Sequence, residues 1–361
     1  MIAYELNDAY FYITTMDDFK NILIIRLDRI GDVLLSTPVF KTVREAYPKS
    51  HISVMVRPYA EDVVLGNPYI DDLIVYDKDG AHKGALATLV FCQRLRARRF
   101  DCAIVLHPSN RSHIVPFLAG IPMRLGYDRK LSFLLTKSVP HKKEFGLKHE
   151  IDYALDVVHY IGIEPTSHDL YMPIKESSEA RIDELFKKHA LAHGAVVVTL
   201  HPGASCPSKR WPPERFADVA DKLAQKYGAR IVVIAGPKEK GFGDRVCELI
   251  KSKTVNVSGT TSVADVASIL KRSRLLVSND SGPVHIACAI GTPVVALFGR
   301  SDRGLSPVRW GPSGKRSIIL HKYIGCDVCR AHKCEKGFEC LNAITVDEVL
   351  SACDSFLRTT Q

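Results

Sequence analysis

Short unbroken apolar runs recur along the chain. Each is followed by turn-forming residues and then by a longer stretch whose apolar positions fall three or four apart. In the first half the runs are residues 21–27 (NILIIRL), 51–56, 72–76, 101–106 and 124–127; in the second they are 195–200 (AVVVTL), 230–235, 255–257, 275–278 and 293–298. Runs that are apolar at every position predict strands buried on both faces, as in a parallel sheet. Helical periodicity covers residues 38–47, 59–65, 84–99, 148–161, 178–189, 213–227, 263–271, 284–290 and 346–357. Thr37-Pro38 reads as an N-cap with proline at the first helical position, and Thr345 with Glu348 as a capping box. Strand and helix in strict alternation predict an α/β fold with a doubly wound sheet. The theme runs twice, with residues 162–174 (GIEPTSHDLYMPI) as a linker. Two Rossmann-like domains facing a central cleft are therefore expected. The boundaries expected are an extension at 1–20, an N-terminal domain at 21–165, a C-terminal domain at 166–345 and a closing helix at 346–361. Residues 28–32 and 137–148 read as loops, the latter strongly basic (KSVPHKKEFGLK).

Length supports two domains, since 361 residues exceed what one core usually organises. A mean hydropathy of −0.01 is that of a globular chain. No apolar run is long enough to span a bilayer, and the first twenty residues lack the features of a signal peptide, so a cytoplasmic protein is expected. Lysine and arginine number 49 against 40 acidic residues, a formal charge of +9. That charge favours anionic partners, whether nucleotide phosphates, nucleic acid or an acidic membrane face. No zinc-finger, RNP or helix-turn-helix signature accompanies it, so nucleic acid is not expected as a partner. Four of the ten cysteines, Cys326, Cys329, Cys334 and Cys340, crowd into CDVCRAHKCEKGFEC. In a reducing compartment this spacing is either a zinc site or a compact loop of free thiols.

The candidate chemistry lies in the loops after strands, because ligands of open α/β sheets collect outside the carboxyl ends of the strands. The turn Asn279-Asp280-Ser281-Gly282-Pro283 leads into a helix. Backbone N–H groups and the helix dipole favour an anion there; a plain capped crossover helix has the same pattern. His285 reads either as a ligand or as a packed core histidine. Loops carrying Ser205 and Lys209, then Lys238 and Glu239, should converge on the same edge. Lysine supplies charge for a diphosphate and glutamate an acceptor for a ribose diol. Asp32 is either a helix-start carboxylate or a catalytic one. No G-x-G-x-x-G follows the first strand, which disfavours a nicotinamide enzyme.

Four segments together carry a resemblance: IRLDRIGDVLLSTP at 25–38, HPGASCPSKRWPPERF at 201–216, VVIAGPKE at 232–239 and DSGPVHIACAIGTPVVALFG at 280–299. They resemble the ADP-heptose:lipopolysaccharide heptosyltransferase family, glycosyltransferase family 9, over roughly residues 21–357. The resemblance implies the GT-B fold and an inverting transfer of heptose from ADP-heptose to an inner-core lipopolysaccharide acceptor at the cytoplasmic face of the inner membrane. It implies no cofactor and no metal, the phosphate charge being met by the protein. By position, Asp32 would be the general base. Lys209 would contact phosphate, Glu239 ribose, and Asp280, Ser281 and Gly282 would form the phosphate turn, with Ser205 and His285 beside them. Thr260 and Thr261 would line the adenine side. Arg29, Arg57, Arg111 and the basic pair Lys142-Lys143 are candidates for an acidic acceptor. A transferase using another nucleotide-sugar, and a non-catalytic sugar-nucleotide-binding protein, are the alternatives. A carboxylate at a helix start is expected to have a depressed pKa, which makes a poor resting base.

Overall fold

The computed structural model describes residues 19–191, 194–326, 328–329 and 331–358. Most of the extension expected at residues 1–20 lies outside them. Six strands form the first sheet: β1 (Asn21–Ile25), β2 (His51–Val56), β3 (Asp72–Val75), β4 (Cys102–Val105), β5 (Met123–Tyr127) and β6 (Lys137–Val139). Six form the second: β7 (Val197–His201), β8 (Arg230–Val233), β9 (Thr254–Asn256), β10 (Leu275–Asn279), β11 (Val294–Phe298) and β12 (Ser317–His321). All pairings are parallel. The orders are β3-β2-β1-β4-β5-β6 and β12-β11-β10-β7-β8-β9. Both are the doubly wound order, each with one switch point where the winding reverses: between β1 and β4, and between β7 and β10. The fold is α/β, with two Rossmann-like domains.

The apolar runs became strands for the expected reason. β1, β4, β7, β10 and β11 are buried nearly throughout, each covered on both faces by helices. The helices Pro213–Tyr227, Val263–Lys271 and Val346–Leu357 begin and end where the periodicity placed them. The last carries the capping box between Thr345 and Glu348, and its apolar side joins the core of the second sheet with Trp211, Phe216 and Leu341.

Several elements differ from the sequence reading. Residues 30–34 form a short helix, Ile30–Leu34, so Asp32 stands in a helical first turn and not in a loop. The next helix has Ser36, not Thr37, at its N-cap position, with no side-chain cap bond, and Thr37 is already inside it. The basic segment 137–148 contains β6 and a 3-10 turn at Lys143–Phe145. The helices Asn110–Leu118 and Lys240–Leu249 and the strand β12 are not predicted by the periodicity. Pro116 interrupts the pattern of the first helix, Gly241 and Gly243 that of the second, and β12 is a half-exposed edge.

One apolar cluster crosses between the two sheets. Ile22, Leu34, Val39 and Val63 of the first share it with Leu270, Leu276, Val284, Ile286 and Phe298 of the second. Polar contacts also cross. Asp62 bonds Lys175 Nζ at 2.6 Å and accepts the N–H of Ala264 at 3.1 Å, in the first turn of a helix belonging to the other half.

Candidate active site

At the first switch point β1 runs into Arg26, a charged residue directly after the strand's last apolar position and 1% exposed. Its guanidinium is fully engaged. It donates to Asp28 Oδ1 (2.8 Å), the carbonyl of Leu106 after β4 (3.1 Å), Asp32 Oδ1 (3.2 Å) and Glu150 Oε1 (3.0 Å). Glu150 is buried too. It takes Lys143 Nζ at 2.7 Å and, from the other half, Arg309 at 2.8–2.9 Å. His107 Nδ1 closes the group, 3.0 Å from Asp28 Oδ2.

These surroundings set three carboxylates apart. Burial pushes Glu150 up, but Lys143, Arg26 and Arg309 hold it far below the usual glutamate range. Burial likewise acts against ionised Asp28, and Arg26 and His107 more than offset it. Asp32 goes the other way. Burial and the neighbouring charge of Asp28 push it up to about 6, with Arg26 only partly opposing. The depressed value expected from a helix start is thus reversed. The helix Ile30–Leu34 has only five residues and so a weak dipole, while desolvation and a like charge both favour the protonated form.

A cavity of about 930 Å³ opens beside this cluster. Asp32, Arg29, His107, Arg111, Arg129 and Arg300 are among its walls. Arg111 donates to Tyr76 Oη at 2.8 Å, and Arg29 spans the halves to Ser205 Oγ at 3.0 Å. Arg57 stands apart from the cavity, paired with Asp79 and lying 4.7 Å over the Tyr59 ring. Lys143 is not a free cation either, since its ammonium is spent on Glu150.

At the second switch point four consecutive loops line up along the carboxyl edge. In spatial order they follow β10, β7, β8 and β9. They carry Asp280 with Ser281, then His201 to Lys209, then Glu239, then Thr260 with Thr261. Strands about 4.8 Å apart make this row about 14 Å long, the length scale of an extended nucleotide diphosphate. Lys209 Nζ lies 2.6 Å from Asp280 Oδ2. Ser281 occupies the N-cap of the helix Gly282–Ile290 but does not cap it. Its hydroxyl turns to His201 Nδ1 at 2.9 Å, leaving the helix start without a side-chain partner. His201, which motif reading passed over, reaches Glu239 Oε2 with its other nitrogen at 3.6 Å. Burial raises Glu239, yet His201 and Arg210 bring it below the usual range. Its carboxylate oxygen would be 2.5 Å from a Cβ placed on Gly203, so only glycine fits there without displacing it. Thr260 donates to the carbonyl of Val257 at 2.9 Å, and Thr261 is half-buried.

The two switch points meet at Gly31. A Cβ there would sit 3.0 Å from His285 Cδ2 and 3.7 Å from the Cα of Gly282. The helix turn carrying Asp32 therefore packs on the helix that the 280–282 turn begins. His285 is buried between them, and burial, with Lys209 and His149 nearby, lowers it to about 3. It is a neutral packing ring, and its Nδ1 has no hydrogen-bond partner among the described residues.

Among the described residues no group of three or more His, Cys, Asp or Glu side chains is gathered as a metal site. Cys334 Sγ accepts the N–H of Phe338 at 3.2 Å, and Cys340 is buried. One Asp-x-Asp does occur, Asp77-Lys78-Asp79, the spacing found in metal-dependent sugar transferases. Asp77 binds the backbone of its own turn and Asp79 pairs with Arg57.

The model of glycosyltransferase family 9 (heptosyltransferase) matches residues 88–338. The chain belongs to this family. Among family 9 relatives, lipopolysaccharide heptosyltransferase 2 of Escherichia coli K12 is 25% identical over 346 residues, covering 93% of this chain and 98% of its own. The crystal structure of a family 9 glycosyltransferase from Veillonella parvula superposes with a TM-score of 0.87 at 29% identity, covering 94% and 98%. The E. coli ADP-heptose lipopolysaccharide heptosyltransferase II superposes at 0.78 with 23% identity, covering 94% and 98%. That last likeness speaks for the GT-B fold. The family supports a glycosyltransferase, and the fold supports two domains meeting at the switch points just described.

Proposed function

We propose that this glycosyltransferase moves a heptose from ADP-heptose to an inner-core lipopolysaccharide acceptor, inverting the anomeric carbon and using no metal. One observation carries the reading. A carboxylate poised near neutrality, Asp32, stands where the basic cavity of the first half meets the uncapped helix start of the second. The diphosphate would lie along Asp280, Ser281 and Gly282, with Lys209 turning from Asp280 to share its charge. Glu239 would accept from the ribose hydroxyls, and the adenine would extend toward Thr260 and Thr261. Arg29 and Arg111 would receive the acidic acceptor.

In the reaction the acceptor oxygen attacks the anomeric carbon from the face opposite ADP. The new O–C bond forms as the bond from carbon to the phosphate oxygen breaks. Asp32 takes the hydroxyl proton, and Lys209 with the helix start receives the negative charge on ADP. A base with a pKa near 6 is ionised at neutral pH yet basic enough to help. The reaction belongs in the cytoplasm, at the membrane face where the acceptor is anchored.

Calorimetric titration with ADP, UDP and GDP tests the donor. Selective ADP binding, lost in Lys209→Ala, is expected, and ADP-heptose should then give a product of inverted configuration by NMR. Preference for UDP or GDP would discard heptose as the donor. Retained configuration would discard direct displacement.

A further inference from the structure

We infer that Arg300 and Asp302, on the loop after β11, hold a vicinal diol of the sugar that is transferred. The strand order supplies the direction. The row proposed for the nucleotide runs from the loop after β10 to the loop after β9, with the diphosphate at the β10 end. A sugar on that diphosphate must project past β10 on its other side, where β11 is the next strand. Arg300 and Asp302 follow β11 directly, and both lie in the wall of the cavity that holds Asp32. Alternate residues of an extended stretch share a face. Ser301, between them, is absent from the cavity wall, and its hydroxyl is 3.1 Å from His321 Nε2 at the end of β12. Both ends of the loop are fixed. A Cβ on Gly299 would lie 2.6 Å from the carbonyl oxygen of Ser208, so the loop starts pressed against the segment that carries Lys209. At the other end Trp310 Nε1 and Arg309 Nη1 donate to the carbonyl of Gly304 at 3.0 and 3.1 Å.

Neither charge is spent within the protein. Of the five carboxylates in the wall, Asp28, Asp32 and Glu150 belong to the cluster around Arg26, and Glu144 lies 2.7 Å from His141. Asp302 forms no ion pair and no side-chain hydrogen bond among the described residues. Arg300 forms none either, and its Nε is buried without a partner. A buried donor left unpaired is costly, and a ligand that accepts from it recovers the loss. An unpaired carboxylate in a basic cavity repels an acidic acceptor, so its partner is neutral. A carboxylate only accepts and a guanidinium only donates, whereas each hydroxyl of a sugar does both. Adjacent hydroxyls of one sugar can therefore donate to Asp302 and accept from Arg300 together. The inference deepens the transferase reading and rests on it for the sugar's attachment to a diphosphate; the recognition itself needs no acceptor.

Full-length protein is titrated calorimetrically with ADP and with ADP-heptose, no acceptor being added. Wild type should bind ADP-heptose more tightly than ADP. Asp302→Ala and Arg300→Gln should each weaken ADP-heptose binding at least about tenfold, the effect of losing a hydrogen bond to a charged group. ADP affinity should be unchanged in both, which also reports correct folding. Asp302→Asn keeps the shape and one acceptor oxygen, so it should lose less in the same direction, and it serves if the alanine variant does not fold. Unchanged ADP-heptose affinity overturns the proposal; a raised KM for the acceptor alone would then give the pair to the acceptor. Equal losses for ADP and ADP-heptose also overturn it, since they would put the two side chains on the phosphates or in the fold. So does a wild type that gains nothing from the sugar. Preference of the wild type for UDP or GDP would sink the heptose reading alone. The same comparison is then made with UDP-glucose against UDP or GDP-mannose against GDP, and the same losses are expected.

Discussion

The two switch points share a topology and differ in their charge. The first is a buried knot in which Arg26, Lys143 and Arg309 face Asp28, Asp32 and Glu150, with His107 at the edge. The second holds one tight pair, Lys209 with Asp280, among hydroxyls and a helix start. One arrangement separates the proton affinities of neighbouring carboxylates; the other leaves donors for an anion. The same strand order therefore serves proton removal on one side and phosphate binding on the other, and side chains alone make the difference.

The largest effect should come from the first side. Asp32→Asn should lower turnover by ~10²–10⁴, the range for loss of a general base, with ADP affinity held. Near-wild-type turnover would break the contrast. The acid limb of kcat should fall as pH drops through about 6, where Asp32 takes up its proton. The sign for stability is opposite to that of a normal buried ion pair. Because folding raises this pKa from 3.8, ionising Asp32 weakens the fold, progressively between about pH 4 and 6 and constantly above. Asp32→Asn should therefore raise Tm at pH 7.5 relative to wild type, and an unchanged or lower Tm would contradict the burial argument.

Glu150→Gln should remove about 3–5 kcal/mol of stability in urea unfolding, because the buried Arg26 and Lys143 and the part-buried Arg309 lose their shared anion. Its own depressed pKa gives stability that is present above about pH 4.5 and lost below it, so the deficit of the variant should shrink in acid. A loss under 1 kcal/mol would mean that the knot is solvated. Lys209→Ala should weaken ADP binding by ~1.5–3 kcal/mol. Smallest of all, Ser281→Ala should change stability by about 1 kcal/mol or less, since the hydroxyl bonds His201 and does not cap the helix. A larger loss would mean that the second switch point is as interdependent as the first.

The sequence made the backbone of both sides legible for a physical reason. A strand covered on two faces must be apolar at every position, so β1, β7 and β10 announce themselves, and the turns after them carry glycine, proline and small polar residues at fixed offsets. The donor row could thus be anticipated from Lys209, Glu239 and Asp280. The knot could not. Glu150 is 124 residues from Arg26 and 159 from Arg309, and nothing local distinguishes them from surface charges. Lys143 looked like part of a solvated basic loop for the same reason. The one local signal was Arg26 itself, a cation inside the otherwise apolar run 21–27, which requires a buried anion nearby. The value of about 6 for Asp32 depends on that unseen neighbourhood, and helix-start reasoning alone pointed the other way.

The poise of Asp32 also bears on how the site recovers between reactions. A far more basic group would keep the proton it took, and the next cycle would wait on its departure. A far more acidic one would never have taken it. At pH 7 a carboxylate of pKa about 6 holds a proton in roughly one molecule out of ten, so after each transfer the proton drains to solvent and the site resets itself. Recharging the base needs no partner residue and no second substrate, only the open water of the cavity beside it.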